Sequence, residues 1–220
     1  MNFFAIAVPY IPLLLKGAAI TVEVTAAAVF FGSILGLLTS LARMSAKRWL
    51  RVPASAYIEF FRGTPLLVQI MIIYFGIPQL THWSVNEWVA AVVSCSLNSG
   101  AYIAEIFRAG VQSIDKGQME AARSLGMGHF QAMRFVILPQ AFKRVIPPLG
   151  NEFIAMLKDT SLLSVIGTAE LMRRGQLIVA VNYQSFPIYI TVALMYLVMT
   201  YGISLWVGYM ERKLKTSDSN

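Results

Sequence analysis

Charge is scarce in this chain. Only 13% of its 220 residues are Asp, Glu, Lys or Arg, and 57% are hydrophobic, with a mean hydropathy of +0.63. A soluble domain carries about 25% charged residues, so an ordinary water-soluble globule is excluded. Cysteine is almost missing. Cys95 stands alone in an apolar stretch, which rules out an intrachain disulfide and leaves no thiol partner for a metal or a nucleophile. His82 and His129 lie far apart, each beside an expected helix end, and form no metal-ligand pattern. There is no Ser/His/Asp set, no pair of catalytic acids and no metal-ligand cluster, so neither an intramembrane enzyme nor a cofactor is expected. There is no G-x-x-x-x-G-K-[ST] stretch, so ATP is not bound in that manner. Internal repeats and low-complexity segments are lacking as well, and residues 1–220 read as a single membrane domain. Residues 1–12 contain no Lys or Arg, so no cleaved signal peptide is expected. Acids are fewer than bases, 11 against 18, for a net charge of +7. In a soluble protein that excess would suggest nucleic acid. Here it belongs to short cytoplasmic loops, and no nucleic-acid partner is expected.

What is present is a series of long uncharged runs, at 24–42, 63–86, 88–104 and 175–210. A spanning helix needs about 20 mostly apolar residues. The reading is an all-α integral membrane fold with about five spans, at 17–43, 54–77, 87–111, 148–167 and 186–210. Gly63-Thr64-Pro65 marks a kink in the second, because proline removes a backbone donor. Pro147-Pro148 opens the fourth and Pro187 falls in the first turn of the fifth, where proline is tolerated. The connections alternate in charge. Arg43, Lys47, Arg48 and Arg51 fill the first, 78–86 holds no Lys or Arg, 112–147 is basic again, and the C-terminal tail holds Arg212, Lys213 and Lys215. Basic loops stay inside. This places the chain in the cell membrane with its N-terminus outside and its C-terminus in the cytoplasm, although Arg173-Arg174 runs against the bias.

The fourth span is unusual in holding Glu152, Lys158 and Asp159. Ionisable groups at membrane depth face a bundle interior or water and mark function. Glu152 and Asp159 are about two helical turns apart and share a face, with Lys158 about 100° away from Asp159. Asn98 and Ser99 lie deep in the third span, where buried polar groups need partners. They either contact a solute or tie helices together. Thr160 and Ser161 extend the polar stripe. Glu23 and Glu105 sit near helix ends and either snorkel or pair locally. Phe60, Phe61, Tyr74, Trp83, Trp88, Trp206 and Tyr209 fit interfacial belts.

Residues 112–147 form a polar insert. Asp115 with Gln118 is a capping-box-like start for a helix over 116–125, and Gly126 is a left-handed stop. A second helix over 129–138 ends at Pro139. The insert is either an interfacial amphipathic anchor or a docking element for a cytoplasmic partner.

Glu120-Ala121-Ala122, Gly126 and Val136-x-Leu138-Pro139 resemble the EAA motif of ABC importer permeases, with Val136 where isoleucine is usual. Phe61-Arg62-Gly63-Thr64-Pro65, Asn98-Ser99-Gly100-Ala101-Tyr102, Leu149-Gly150-Asn151 and Lys158-Asp159-Thr160-Ser161-Leu162 resemble the polar amino acid branch of that family. The resemblance covers most of residues 10–212. It implies about five core helices, a second permease chain in a homo- or heterodimer, and an extracytoplasmic amino-acid-binding protein. It also implies a separate cytoplasmic ABC ATPase subunit that docks on the EAA helix and drives alternating access. The docking residues would be Glu120, Ala121, Ala122, Arg123 and Gly126. The alanines would allow close approach and Gly126 the turn, while Arg123 either forms ion pairs or is merely solvated.

The resemblance further implies an amino acid substrate. The binding candidates are Glu152, Asn98, Ser99, Asp159, Thr160 and Ser161. Glu152 either pairs with the extra positive charge of arginine, histidine or lysine through charge-assisted hydrogen bonds, or forms a structural pair with Lys143, Arg144 or Lys158. Asp159 is a structural or gating partner. The competing class is a secondary transporter driven by an ion gradient, resting on Glu152 and Asp159. Inverted repeats would favour it, and none is visible.

Overall fold

The computed structural model describes residues 6–216, with side chains to residue 213. Residues 1–5 and 217–220 lie outside it, and with them part of the uncharged start and the end of the basic tail. A short 3₁₀ turn, Val8–Tyr10, leads into α1 (Ile11–Met44). Then come α2 (Arg48–Gly63), α3 (Leu66–Thr81, with a π turn at Ile72–Gly76), α4 (Glu87–Gln112) and α5 (Lys116–Ser124). Helix α6 is assembled from His129–Ala132, a π turn at Met133–Ile137, and Leu138–Asp159; a 3₁₀ turn, Thr160–Ile166, follows. The chain closes with α7 (Leu171–Asn182) and α8 (Ser185–Thr216). No strand occurs among the described residues.

Three helices are long and apolar enough to cross a membrane: Val8–Met44, Glu87–Gln112 and Ser185–Lys213. Helices α1 and α4 run parallel. Gly32 lies on Ser96, Ser99 and Gly100, Gly36 lies on Gly100 and Ile103, and Arg43 meets Glu105. A parallel pair requires the chain to return between them. That return is the pair α2 and α3, bent by 107° at Thr64-Pro65. The kink expected at Gly63-Thr64-Pro65 in a span over 54–77 is a sharp break between two helices. Helix α6 runs antiparallel to α4, with Val145 against Gly110 and Glu152 against Ser99. Helix α8 comes back from Tyr196 beside Glu170 to Val207 against Gly150.

The fourth segment also differs from expectation. Pro139 does not end a helix at 138. It follows directly on the π turn, Met133–Ile137, and the helix continues through it from His129 into Leu138–Asp159. Pro147 and Pro148 are interior residues of that helix, not its start. At membrane depth neighbouring helices and π adjustments accommodate such prolines. The helix ends at Asp159, earlier than the expected 167. Helix α7 occupies the stretch between the expected fourth and fifth spans, 168–185.

The tightest joint is α1 on α4. Gly32 and Gly36 form a G-x-x-x-G stripe that lets the two backbones touch, the device helices use where lipid gives no hydrophobic drive to associate. A Cβ on Gly36 would lie 2.8 Å from the Gly100 carbonyl oxygen and 2.8 Å from Ile103 Cγ2. Tyr57 of α2 fastens to the same surface by donating to the Leu97 carbonyl at 2.6 Å.

Candidate translocation site

Two polar networks meet where α2 breaks. The break strands the carbonyls at the end of α2, and Gln69 collects them. Its buried amide nitrogen donates to Phe61 O (2.9 Å), Thr64 O (3.0 Å) and Thr64 Oγ1 (2.9 Å). Asn98 completes the set, donating to Gln69 Oε1 at 3.0 Å and to Phe61 O at 3.4 Å. The Asn98 amide nitrogen is thus committed to holding the break. Gln69 was missed from sequence; an amide inside the uncharged run 63–86 is the signal that could have found it.

Glu152 stands well inside α6, half-buried, and accepts from Ser99 Oγ at 2.8 Å. It forms no ion pair among the described residues. The sequence alternative of a pair with Lys143, Arg144 or Lys158 is therefore not realised; Arg144 donates to the Ser113 carbonyl instead. Asp159 is exposed at the end of α6 and also lacks an ion pair among the described residues. Ser161 is half-buried. Thr160 is buried, donates to the Leu157 carbonyl at 2.7 Å, and neighbours the Tyr196 hydroxyl, so it belongs to another cluster than Glu152.

Below Glu152 a groove of about 530 Å³ runs between α4 and α6, lined by Arg62, Tyr102, Glu105, Arg144, Pro148 and Glu152 among others. Glu105 is its ion-pair hub. Arg43 of α1 and Arg108 of α4 both bond to it, and Arg62 of α2 stands 3.6 Å away. Of the two expectations for Glu105, local pairing is the one realised; Glu23 is exposed.

The Thr160 cluster centres on Glu170, which is fully buried at 0% exposure in the connection before α7, outside the spanning segments. Its carboxylate caps α7, accepting from the backbone N–H of Met172 and Arg173 at 2.7 Å each, and takes the Tyr196 hydroxyl at 3.0 Å. Burial pushes the Glu170 carboxyl up to about 7, against these three bonds, which favour the charged form. The folded state therefore holds this proton more tightly than the unfolded chain. Stability from this group is full below the ordinary carboxylate range and is lost as pH rises toward 7. Such a shift is worth on the order of 3 kcal/mol. Glu170→Gln cannot ionise. Its melting temperature relative to wild type is expected to climb between about pH 5 and pH 8. A pH-independent difference would mean that Glu170 titrates as an ordinary carboxyl.

The polar insert, 112–147, is built as the sequence suggests at its first helix. Asp115 Oδ1 accepts from Gly117 N at 2.6 Å. The capping box stays open, since Gln118 instead accepts from Gln140. At the other end Gly126 adopts φ +83, with Gly126 N bonded to Arg123 O and Met127 N to Ala122 O, the pattern of a Schellman stop. Glu120, Ala121, Arg123 and Gly126 are exposed. Ala122 is buried, contrary to an outward role for both alanines, because the face bearing Met119 and Ala122 turns onto the protein. Leu125 and Phe130, which sequence reasoning passed over, are exposed at 81% and 74%.

Residues 28–216 match the family described as "Binding-protein-dependent transport system inner membrane component". The arginine transport system permease protein ArtQ of Bacillus subtilis is 41% identical over 98% of this chain and 98% of its own length. The glutamine transport system permease protein GlnP of Escherichia coli K12 is 44% identical over 94% and 95%. A crystal structure of an amino acid ABC transporter with histidines superposes with a TM-score of 0.93 at 47% identity, covering 96% of this chain and 98% of that one. An inward-facing methionine ABC transporter, MetNI, shares the fold with a TM-score of 0.80 at 22% identity. The matched residues take in the paired glycines of α1, the broken α2–α3 return, the α4–α6 groove and the exposed insert, and the chain belongs to the family of inner membrane components of binding-protein-dependent transport systems.

Proposed function

We propose that the chain is the permease subunit of an ATP-driven importer of polar amino acids, with preference for the cationic ones, arginine, histidine and lysine. The observation that carries this reading is Glu152: a half-buried carboxylate beside a groove, held by one hydroxyl and without an ion pair among the described residues. An unpaired charge at membrane depth is costly unless it serves a ligand. The relatives that transport arginine and glutamine support the amino acid class.

In this reading the N-terminus is outside and the C-terminus cytoplasmic, and α1, α2–α3, α4, α6 and α8 make five crossings. The chain hydrolyses nothing itself. A cytoplasmic ABC ATPase docks on Glu120, Ala121, Arg123 and Gly126, with Leu125 and Phe130 adding apolar area. A second permease chain completes the pore and an extracytoplasmic binding protein delivers the solute. Asp159, exposed one step further along α6, forms an upper station for the same positive charge, while Asn98, Ser99 and Ser161 shape its surroundings. ATP binding draws the two ATPases together, and their differential affinity for the two permease states shifts the access equilibrium.

The test is calorimetric binding of arginine, histidine, lysine, glutamine and glutamate to the purified permease–ATPase complex without any binding protein. Tighter binding of the cationic three than of glutamine and glutamate supports the reading. Binding of none of the five places selectivity wholly in the delivery protein and removes the membrane site.

A further inference from the structure

Arg62 is the one arginine of the groove with its donors unspent. Glu105 Oε1 receives Arg43 Nη1 and Arg108 Nε, and Oε2 receives Arg108 Nε at 3.2 Å and Nη2 at 2.8 Å. Three N–H groups therefore occupy this carboxylate, the Arg108 Nε–H shared between its two oxygens. Arg62 Nη1 stops 3.6 Å from Oε2, beyond hydrogen-bond range. Arg62 donates no hydrogen bond among the described residues. Its guanidinium lies 5.3 Å from the centroid of the Tyr102 ring, a cation–π contact that orients the planar fork without using its N–H groups. Its side chain is 42% exposed and lines the same groove as Glu152.

A planar fork of free donors suits a bidentate carboxylate. The same groove carries the acid of Glu152, which has no ion pair among the described residues. Every α-amino acid brings both complements, one carboxylate and at least one cation, and a groove of about 530 Å³ lies within the size range of small-molecule sites. We infer that Arg62 is the α-carboxylate site of the transported amino acid, with Tyr102 holding the guanidinium in plane and Glu152 taking the positive group. This rests on the proposed function and adds a second recognition point to it. The rival role is the ion pair with Glu105 at 3.6 Å, which would affect folding but would not distinguish a carboxylate from an amide.

The experiment compares arginine with argininamide, which replaces the α-carboxylate by a neutral carboxamide, by calorimetry on the whole permease–ATPase complex at about pH 6, where the α-amino group of both stays protonated. Wild type is expected to prefer arginine by roughly 10- to 100-fold, the worth of a charge-assisted pair. Arg62→Gln abolishes the preference by losing arginine affinity alone, whereas Glu152→Gln weakens both ligands and keeps the preference. Arg62→Lys, which retains charge without the fork, falls between and carries the test if the glutamine variant does not assemble. Equal affinities in wild type, or a preference that survives in the Arg62 variants, overturns the assignment of Arg62 alone. Wild type binding neither arginine nor glutamine overturns the membrane-site reading beneath it.

Discussion

Glu152→Gln is expected to raise the Kd of the permease–ATPase complex for arginine by roughly 10- to 100-fold while changing that for glutamine by less than about threefold. The argument turns on what the carboxylate already has. Its one side-chain partner is Ser99 Oγ at 2.8 Å, a neutral donor that a glutamine carbonyl oxygen satisfies equally well. The local structure therefore survives the substitution, and what disappears is the charge. A hydrogen bond to a charged group contributes about 1.5–3 kcal/mol, and that difference falls only on a solute with a cation beyond its α-ammonium. If both amino acids weaken alike, Glu152 acts through the packing of α4 on α6. If neither weakens, the solute does not reach this level of the groove.

Gly36→Leu is expected to destabilise the permease by about 3 kcal/mol or more, the upper end of the cost of overpacking. The obstruction is backbone. A Cβ meets the Gly100 carbonyl oxygen at 2.8 Å, and that oxygen moves only if α4 moves. Gly100 cannot yield sideways, because on its own far side a Cβ would meet Tyr57 Oη at 2.8 Å. Gly202→Leu is the matching control. Nothing lies within 4 Å of that position, and leucine has the better helix propensity by a few tenths to about 1 kcal/mol. A thermal melt of the three proteins in one detergent decides the matter. Equal midpoints for Gly36→Leu and wild type would mean that α1 and α4 separate at little cost.

Much of this architecture could be read in the uncharged runs, since hydropathy registers a helix surrounded by lipid without reference to its neighbours. Helices α1, α4 and α8 were found for that reason. The first helix of the insert was equally legible, because Asp115 and Gly126 act locally, through a cap and a positive φ. What failed depends on tertiary context. Pro139, Pro147 and Pro148 read as boundaries, yet α6 passes through all three because packed neighbours support its backbone. Helix α7 was hidden by Arg173-Arg174 and by its cap: glutamate is not among the preferred capping residues, and Glu170 serves only because Tyr196 and burial hold it there.

The candidate site divides along the same line. Glu152 was legible because a charge in a spanning helix is conspicuous wherever it points. Asn98 was conspicuous too, but its work is structural, and that is visible only once Gln69 is placed opposite. Thr160 shares a stripe with Asp159 in sequence and a cluster with Glu170 and Tyr196 in space, since the helix tightens to a 3₁₀ turn at that residue. The exposed Leu125 and Phe130 look like ordinary core formers until the fold leaves them outside.

The continuity of α6 gives the molecule a crank. The insert packs its inner face on the π turn at Met133–Ile137, and Glu152 rides on the same unbroken helix. At 1.5 Å per residue, the stretch from Met133 to Glu152 is roughly 28 Å of rod, so a tilt of about 5° at one end swings the other by about 2.4 Å. That swing comes close to the length of the Ser99–Glu152 bond and is enough to break it. Because α1 and α4 are locked by their glycines, they serve as the bearing, and a displacement of the insert reaches the acid as a lever's throw.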